Sequence, residues 1–451
     1  MKPQGSVRPR KRGGTGRLAS ALALAVATVL VAAACSAGGG STQSDKTTLT
    51  LWENFGGAYN GTATRQLATA FEKTHPNIKI EVVSQPADNY FSLLQAAALS
   101  RSGPDLLVMW GGLYAIQHKS YLQNLKDLVP AKDTSKLAGM RWVSEGFDVS
   151  KGAYMVPLED QFYAGFYNKA LFKKADITAP PQTWTELYQD CQKLKDAGVP
   201  NCIYYASGST NQAATGAFYP WYEMSYLMIG AIPLDKLQGL YNGDIPWTSS
   251  VVTSQLQKWQ DLYSKGYTNK DVLTAHQVMT AFEKGESAMI MKGNWVVPDL
   301  TKSLGDDLGV MVPPYSDTPI KGVAEFPGDG YSMTNYSSHK KEAAEFLKFM
   351  ATPAAAKIVD ANNLIPAVEG AVPSKPINQQ LLAFREKDGM TQYPLVDNVL
   401  QADIVDAATR LLPQLLAGQI TVTKVAQELE KTWKALPKEQ RGSSWASYTV
   451  K

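Results

Sequence analysis

The chain has few of the residues that build metal centres and catalytic sites. Its 451 residues include four histidines, His75, His118, His276 and His339, which are scattered and have no partner at metal-ligand spacing. The motifs of serine hydrolases (G-x-S-x-G), zinc peptidases (H-E-x-x-H) and P-loop NTPases (G-x-x-x-x-G-K-[ST]) are absent. These absences disfavour the three enzyme classes, and we expect neither a metal nor a cofactor.

Long apolar runs are equally scarce, and the one that could cross a membrane lies at the amino terminus. Residues 18–34 follow a basic region and end in Ala32-Ala33-Ala34-Cys35, which predicts a signal peptide over residues 1–34. Cys35 and the Gly/Ser-rich segment after it resemble a bacterial lipoprotein site, with residues 35–46 as the lipidated cysteine and its flexible tether. The alternatives are an ordinary secretory signal with an incidental cysteine, or an uncleaved anchor.

The mature chain carries little net charge. The net charge of +3 includes six basic residues that precede the apolar run, and without them 38 basic residues stand against 41 acidic ones, a net charge of −3. Such a balance does not indicate nucleic-acid binding. The apolar content of 44% is that of a soluble globular protein, and the length predicts two domains.

Only three cysteines are present, an odd number for an exported protein. If Cys35 carries lipid, Cys191 on a predicted helix and Cys202 before the next strand remain as a pair. A disulfide between them would close a short loop and stabilise the fold by roughly 3 kcal/mol in the chain-entropy model. Two free thiols are the alternative.

Short apolar segments near residues 47–52, 78–82 and 106–109 alternate with helical patterns, which predicts a mostly parallel α/β sheet. A fourth apolar segment, residues 288–291, follows a predicted helix that ends at Gly285. Ligands of open α/β sheets bind beyond the carboxyl ends of the strands. Three of these segments end in tryptophan, Trp52, Trp110 and Trp295, which suggests a shared cleft, although Trp295 suits a core equally well.

Indole rings at a cleft suit sugars, because the C–H faces of a sugar ring stack on them while its hydroxyls need fixed polar partners. The residues that could supply those partners are Glu53, Asn54, Asp160 and Asn294.

The segment from Phe282 to Trp295 resembles the F-x-x-G-[KE]-x-A-M-x-x-x-G-x-W signature of the family 1 extracellular solute-binding proteins of ABC sugar importers, the maltose-binding-protein-like group. Residues 154–172, the Gly-rich stretch 324–333 and the helices and Leu-Ile-Pro segment of 340–367 resemble three further signatures of that family, in the same order. The resemblance covers nearly the whole mature chain.

This resemblance implies an α/β, two-lobed, periplasmic-binding-protein-like (type II) fold, with three hinge crossings and a cleft between the lobes. The amino-terminal lobe is expected over residues 47–162 plus 327–368, and the carboxyl-terminal lobe over 163–326 plus 369–451. The ligand would bind in the open cleft and be enclosed by hinge closure.

The family segments also place candidate ligand contacts on the crossings. Asp160 and Gln161 lie on the first crossing, where a solvated acidic loop is the alternative, and Asp329 lies on the return, where a plain turn is the alternative. Trp221 and Tyr222 form the best aromatic platform of the second lobe. The full set of predicted ligand contacts is Trp52, Glu53, Asn54, Trp110, Asp160, Gln161, Trp221, Tyr222, Asn294, Trp295 and Asp329.

The expected function is therefore a lipid-anchored, monomeric receptor at the outer face of the bacterial cytoplasmic membrane. It would capture a sugar, with an oligosaccharide favoured by the number of aromatic platforms, and deliver it to the transmembrane subunits of an ABC permease. A secreted glycosidase and a receptor for a peptide or polyamine are the alternatives. The adjacent Glu159 and Asp160 argue against the glycosidase, because neighbouring residues of an extended segment point to opposite sides.

Overall fold

The computed structural model describes residues 46–207, 220–387 and 389–441. The predicted signal peptide, Cys35 and most of the tether lie outside these residues, as does most of the loop that precedes Trp221. Within these ranges, no helix combines the length and the apolar character that a membrane span requires.

Eleven strands form two separate sheets among the described residues. In chain order they are β1 Thr47–Glu53, β2 Ile78–Ser84, β3 Leu106–Met109, β4 Val156–Pro157, β5 Asp160–Asn168, β6 Asn201–Ile203, β7 Ser287–Gly293, β8 Leu308–Met311, β9 Gly322–Pro327, β10 Gly330–Met333 and β11 Thr391–Tyr393. The first sheet has the order β2-β1-β3-β10-β4, and the second has the order β11-β9-β5-β7-β6, with β8 paired to β5.

The first sheet matches the predicted α/β pattern in its first three strands. β1 pairs in parallel with β2 and with β3, and the apolar β3 is buried along its whole length. β10 then pairs antiparallel to both β3 and β4. The strands on one side of the sheet are therefore parallel, and the other side contains the antiparallel strand β10, which returns from the second lobe.

The second sheet is mixed. β5 runs antiparallel to β7, β8 and β9, because it enters this lobe from the first one and travels against the strands that start inside it. Only β6 with β7 and β11 with β9 are parallel pairs.

Helices cover the faces of both sheets. The α-helices of the described residues are α1 Tyr59–Thr74, α2 Tyr90–Ser100, α3 Leu113–Gln117, α4 Ala131–Thr134, α5 Lys169–Lys174, α6 Trp184–Asp196, α7 Pro220–Ile229, α8 Leu234–Asn242, α9 Ser250–Ser264, α10 Val278–Glu283, α11 Val297–Leu304, α12 Lys340–Phe349, α13 Pro353–Ala361, α14 Pro376–Glu386, α15 Val396–Val399, α16 Ala402–Leu416 and α17 Val422–Ala435. The last two helices pack with the second sheet, and Leu412, Leu416 and Leu429 lie in its core.

The apolar cores follow the two sheets. One core holds residues of β1, β3 and β10 with α1, α12 and α13, including Leu49, Phe71 and Phe346. The second sheet has a core on each face, one built around Trp184 and Trp259 and the other around Phe166 and Phe282. Trp184 and Trp259 are buried, as their helical spacing predicts.

The chain passes from one sheet to the other at three places. The first passage lies between β4 and β5, and the return lies between β9 and β10. The third follows α13, where Pro366 forms a bridge with Glu159 and α14 begins against the second sheet. These passages form the connection between the lobes, in agreement with the expected fold class.

Cys191 and Cys202 form the disulfide, with their Cα atoms 5.0 Å apart. Thr183 Oγ1 accepts a hydrogen bond from the Glu186 backbone amide, so Thr183 is the N-cap of the helix that carries Cys191. Cys202 itself lies within a short strand, because β6 spans Asn201–Ile203. The disulfide therefore joins a helix directly to an edge strand.

Candidate functional site

The polar side chains of the first crossing, the passage from β4 to β5, lie on two opposite faces of the chain. Because residues of a strand alternate, Glu159, Gln161 and Tyr163 share one face of the extended chain while Asp160 points to the other. Gln161 Nε2 donates to Glu159 Oε1 at 2.9 Å, and a side chain added at Gly328 would collide with Gln161. One face of this segment therefore adjoins the returning chain at Gly328 and Asp329.

Glu159 and Asp329 form an acidic pair beside Gln161. Glu159 is fully buried, and its Oε1 also accepts a hydrogen bond from Asn60 Nδ2 at 2.6 Å. Its Oε2 has no hydrogen-bond partner within the described part of the chain. Burial, followed by the charge of Asp329, raises the pKa of Glu159 to about 8, and burial raises the pKa of Asp329 to about 7.

Trp295 belongs to an aromatic cluster at the carboxyl end of β7. Its ring centroid lies 5.9 Å from that of Tyr163 and 5.7 Å from that of Tyr222, and the rings of Tyr163 and Tyr222 are 4.5 Å apart. The Lys292 ammonium lies 5.1 Å from the centroid of Tyr222. Tyr163 and Tyr222 are buried in the second-lobe core, and Trp295 is the most accessible ring of this cluster.

Gly293 allows the indole of Trp295 to take this position. A Cβ atom built on Gly293 would lie 1.7 Å from Trp295 Cζ3, so the ring rests directly against the backbone of this residue. The glycine of the G-x-W sequence is thus required by packing, and any larger residue would displace the ring.

Asn294 has a positioning role. Its Oδ1 accepts a hydrogen bond from the Phe162 backbone amide at 3.0 Å, and its Nδ2 donates to the Asp160 carbonyl at 3.1 Å. The side chain therefore ties the end of β7 to the start of β5, and its two polar atoms bind backbone groups.

Trp52, Glu53 and Asn54 follow β1 on the first lobe. Trp52 is half-buried, and its carbonyl accepts a hydrogen bond from the Tyr90 hydroxyl. The Glu53 carboxylate accepts hydrogen bonds from Ser84 Oγ, from Arg65 and from the backbone amides of Phe55 and Gly56. The Glu53 carboxylate therefore stabilises the loop that follows β1. The Asn54 Oδ1 atom is buried and has no hydrogen-bond partner among the described residues.

Trp110, at the end of β3, joins a smaller aromatic group. Its ring lies 4.7 Å from Phe91 and 5.0 Å from Tyr114, and it is half-buried. The next residue, Gly111, lies so close to the Pro327 carbonyl that a Cβ would approach it to 2.1 Å. Trp110 is thus next to the returning crossing, on the first-lobe side.

Asp160 belongs to a different environment. Its Oδ2 accepts a hydrogen bond from Arg385 Nη1 at 2.8 Å, and the same nitrogen lies 2.7 Å from Glu325 Oε1. Burial and the nearby Glu325 raise the pKa of Asp160, and the guanidinium acts against that rise. These groups line a cavity of about 740 Å³, together with Trp142, Glu369 and Tyr393.

Of the predicted contacts, Gln161, Tyr222, Trp295 and Asp329 therefore lie in the two clusters that meet along one face of the first crossing. Asp160 points to the opposite face, where it forms the ion pair with Arg385. The side chain of Trp221 lies outside the described residues. Trp247 is buried in the second-lobe core.

A family comparison explains this architecture. Residues 57–357 match the model of the bacterial extracellular solute-binding proteins. The chain belongs to this family. The matched residues include the two crossings, which carry Glu159 and Asp329, and the aromatic cluster around Trp295.

Individual relatives of this solute-binding protein are distant. An uncharacterized ABC transporter extracellular-binding protein of Pyrococcus horikoshii is 26% identical over 64% of this chain, and the match spans 64% of that relative. The melibiose/raffinose/stachyose-binding protein MelE of Bacillus subtilis is 24% identical over 70% of this chain and 73% of its own. Among solved structures, a chitin oligosaccharide binding protein superposes with a TM-score of 0.73 at 19% identity, covering 86% of this chain and 98% of its own.

Glu159 is a candidate site residue that the set of predicted contacts omits, although it lies with Asp160 and Gln161 in the segment where the family resemblance implies polar ligand contacts. The sequence offers one signal for it, the period of two along the crossing, which places Glu159 on the same face as Gln161. Asn60, which donates to Glu159, lies 99 residues earlier in the chain, so no local sequence pattern indicates this contact.

Proposed function

We propose that this solute-binding protein is a receptor that captures a carbohydrate between its lobes and delivers it to the permease of an ABC importer. The single observation that carries the proposal is the aromatic cluster of Tyr163, Tyr222 and Trp295, which stands next to fixed polar groups along one face of the first crossing. Aromatic rings stack on the apolar faces of sugar rings, and a few fixed polar groups orient the hydroxyls.

The names of relatives support a sugar of more than one ring. MelE carries the names of three oligosaccharides, and the structural neighbour binds a chitin oligosaccharide. The aromatic groups around Trp110 and around Trp295 provide stacking faces at the carboxyl ends of strands in both lobes. An oligosaccharide would use both groups.

The residues of the proposed contact set are Trp52, Asn54, Trp110, Glu159, Gln161, Trp221, Tyr222, Trp295 and Asp329. Glu53, Asn294 and Asp160 act indirectly, because their polar atoms bind groups of the protein itself.

Closure of the cleft would transmit binding to the permease. The ligand would favour the closed arrangement by touching both lobes, and only that arrangement would present both lobe surfaces correctly to the membrane partner. We infer further that Cys35 carries a lipid after removal of residues 1–34, and that the segment up to residue 46 tethers the monomeric receptor to the outer face of the membrane.

The protein is proposed to bind its sugar without hydrolysing it. Glycosidases require two carboxyl groups on opposite sides of one glycosidic bond. Glu159 and Asp160 do not supply such a pair, since Asp160 lies on the other face of the strand in its ion pair with Arg385.

Thermal unfolding of the chain without residues 1–35, measured with a panel of mono- and oligosaccharides, tests this function. A ligand that binds only the folded state stabilises it by about 2.7 kcal/mol at a hundredfold excess over its dissociation constant. A shift of the midpoint with one group of sugars, followed by recovery of the intact sugar by chromatography, is the expected result.

Two outcomes would contradict the proposal. Recovery of a cleaved sugar would make the protein a glycosidase. The absence of any shift across the panel, with a shift for a peptide or a polyamine, would make it a receptor for another solute. Lipidation is tested separately, by mass spectrometry of the native chain and of a Cys35→Ala variant.

A further inference from the structure

We propose that the cleft is specific for a sugar that carries a protonated amino group, with Glu159 and Asp329 as its counter-charges. The inference rests on the receptor function proposed above and names the chemical class of the ligand. It starts from the polar partners of these two acids.

Glu159 carries a carboxylate oxygen that the protein does not satisfy. The residue is fully buried, Oε1 accepts hydrogen bonds from Asn60 and Gln161, and Oε2 has no partner among the residues that the structure describes. An unsatisfied buried polar group destabilises the protein, and more so when it is charged. A ligand with a hydrogen-bond donor at this position would remove that destabilisation.

The second acid, Asp329, favours a hydrogen-bond donor that carries a positive charge. Asp329 is close enough to raise the pKa of Glu159 by its charge, and it is half-buried, so it is the more accessible member of the pair. Within the described ranges, neither acid forms an ion pair with a lysine or an arginine. A hydroxyl group could satisfy one oxygen, whereas an ammonium group would also favour the ionised form of both acids.

Among the described residues, the cations near the pair interact with groups other than Glu159 and Asp329. The nearby titratable groups are Tyr331, Tyr90 and Glu53, and Glu53 is already paired with Arg65 at 3.3 Å. The remaining cation of the site, Lys292, lies over the ring of Tyr222 on the second lobe, where burial lowers its pKa to about 7. The floor of the cleft is therefore acidic.

The protonation of the pair agrees with this assignment. At neutral pH the raised pKa values, about 8 for Glu159 and about 7 for Asp329, keep protons on the pair. An ammonium group favours the ionised form of a neighbouring carboxyl, so it would lower both pKa values on binding and release protons. A neutral sugar has no such effect.

Pairs of sugars that differ at one group provide the test. We would measure binding by isothermal titration calorimetry for glucosamine against glucose, galactosamine against galactose, and the β-1,4 disaccharide of glucosamine against cellobiose. At neutral pH an amino sugar should bind about tenfold more tightly than its neutral partner, and this preference should increase as the pH rises from about 5 to about 7, because binding of the ammonium group releases protons from the pair. Titration in two buffers with different ionisation enthalpies should show proton release with the amino sugar alone.

Three variants make the test specific. Glu159→Gln and Asp329→Asn remove one charge each while keeping the size of the side chain, and either should abolish most of the preference for the amino sugar. Glu81→Gln removes the same charge from an exposed position on β2 and should leave the preference unchanged. Circular dichroism confirms that each variant is folded.

The outcomes separate this inference from the function it rests on. Neutral sugars that bind as tightly as amino sugars, without proton release, would overturn the inference and leave the receptor function in place. An amino-sugar preference that survives in both Glu159→Gln and Asp329→Asn would also overturn it. If no sugar of either kind binds, the proposed function fails together with the inference.

Discussion

Arg385 Nη1 lies 2.8 Å from Asp160 Oδ2, so the acid that follows Glu159 in the sequence is held by a cation from a helix 225 residues away. The same nitrogen lies 2.7 Å from Glu325 Oε1, and both acids are buried. One guanidinium therefore joins the outgoing crossing, the returning crossing and α14. This contact is on the face of β5 that is turned away from Gln161.

Replacement of Arg385 by methionine should destabilise the fold by about 3 kcal/mol, because it leaves two buried carboxylates without their cation. Urea denaturation at neutral pH measures the loss. The matched control is Lys424→Met, which removes the exposed Lys424–Glu428 pair on α17 and should change stability by less than about 1 kcal/mol. Equal effects of the two variants would mean that the Arg385 contact contributes no more than a surface pair.

Truncation of Trp295 to alanine should weaken binding of the sugar by about 1 kcal/mol or more, since it removes a stacking face next to Tyr163 and Tyr222. Calorimetry with the ligand identified in the panel measures the change. Trp433→Ala serves as the control, because Trp433 packs on the second-lobe core and donates to the Tyr241 carbonyl. An unchanged dissociation constant in folded Trp295→Ala would make Trp295 a core residue.

Gly293→Ala should weaken binding to a similar extent even though every aromatic ring is retained. The new methyl group would occupy the space of the Trp295 ring, which must then move away from its place in the cluster. The same titration measures the effect, and thermal unfolding shows whether the variant is folded. Wild-type affinity in a folded variant would show that the position of the indole is unimportant for recognition.

Removal of the disulfide by replacing Cys191 and Cys202 with serine should lower the free energy of unfolding by roughly 3 kcal/mol, because a short loop is no longer closed in the unfolded chain. Affinity for the sugar should remain unchanged. A reducing agent should lower the stability of the wild type to that of the variant and leave the variant itself unaffected. A stability loss in the variant that reductant does not reproduce would point to the packing of the serines instead.

Stability should fall as the pH rises from about 4 to about 7. The folded pKa values of Glu159 and Asp329, about 8 and about 7, lie above the ordinary carboxyl values, so over this range the folded state holds protons that the unfolded state has released. A rise in pH therefore favours unfolding. Above pH 7 the lowered pKa of Lys292 acts in the opposite direction, because there the unfolded state holds the additional proton.

Urea denaturation at several pH values checks this profile. The Glu159→Gln variant should show a smaller fall than the wild type between pH 4 and 7, and Glu81→Gln should follow the wild type. A fall of the same size in Glu159→Gln would assign the pH dependence to other acids.

The local elements could be predicted from the sequence because their signals are local. Gly285 has a positive φ of 73° directly after α10, and the apolar run after it is a fully buried strand, as its composition predicts. Thr352 accepts a hydrogen bond from the Ala355 amide, which is the cap expected before Pro353. The disulfide and the aromatic residues at strand ends were also accessible to this kind of reasoning.

The direction of the side chains on the crossing could not be predicted in the same way. Asp160 and Glu159 are neighbours, and only distant contacts decide which of them shares a face with Gln161: Arg385 binds Asp160, and Asn60 binds Glu159. Glu53 is a similar case, because the atoms that bind its carboxylate come from its own loop, from Arg65 and from the neighbouring strand at Ser84. Single-sequence patterns contain no information about such partners.

The antiparallel pairing of β5 with β9 joins Asp160 to Pro327 and Tyr163 to Ala324, immediately beside both passages between the lobes. Two of the connections are thus hydrogen-bonded to each other as a ribbon. A ribbon of two strands resists bending within its own plane and bends more readily across it. We therefore expect the lobes to move about one main axis, so that every ligand, whatever its affinity, would close the receptor along the same path.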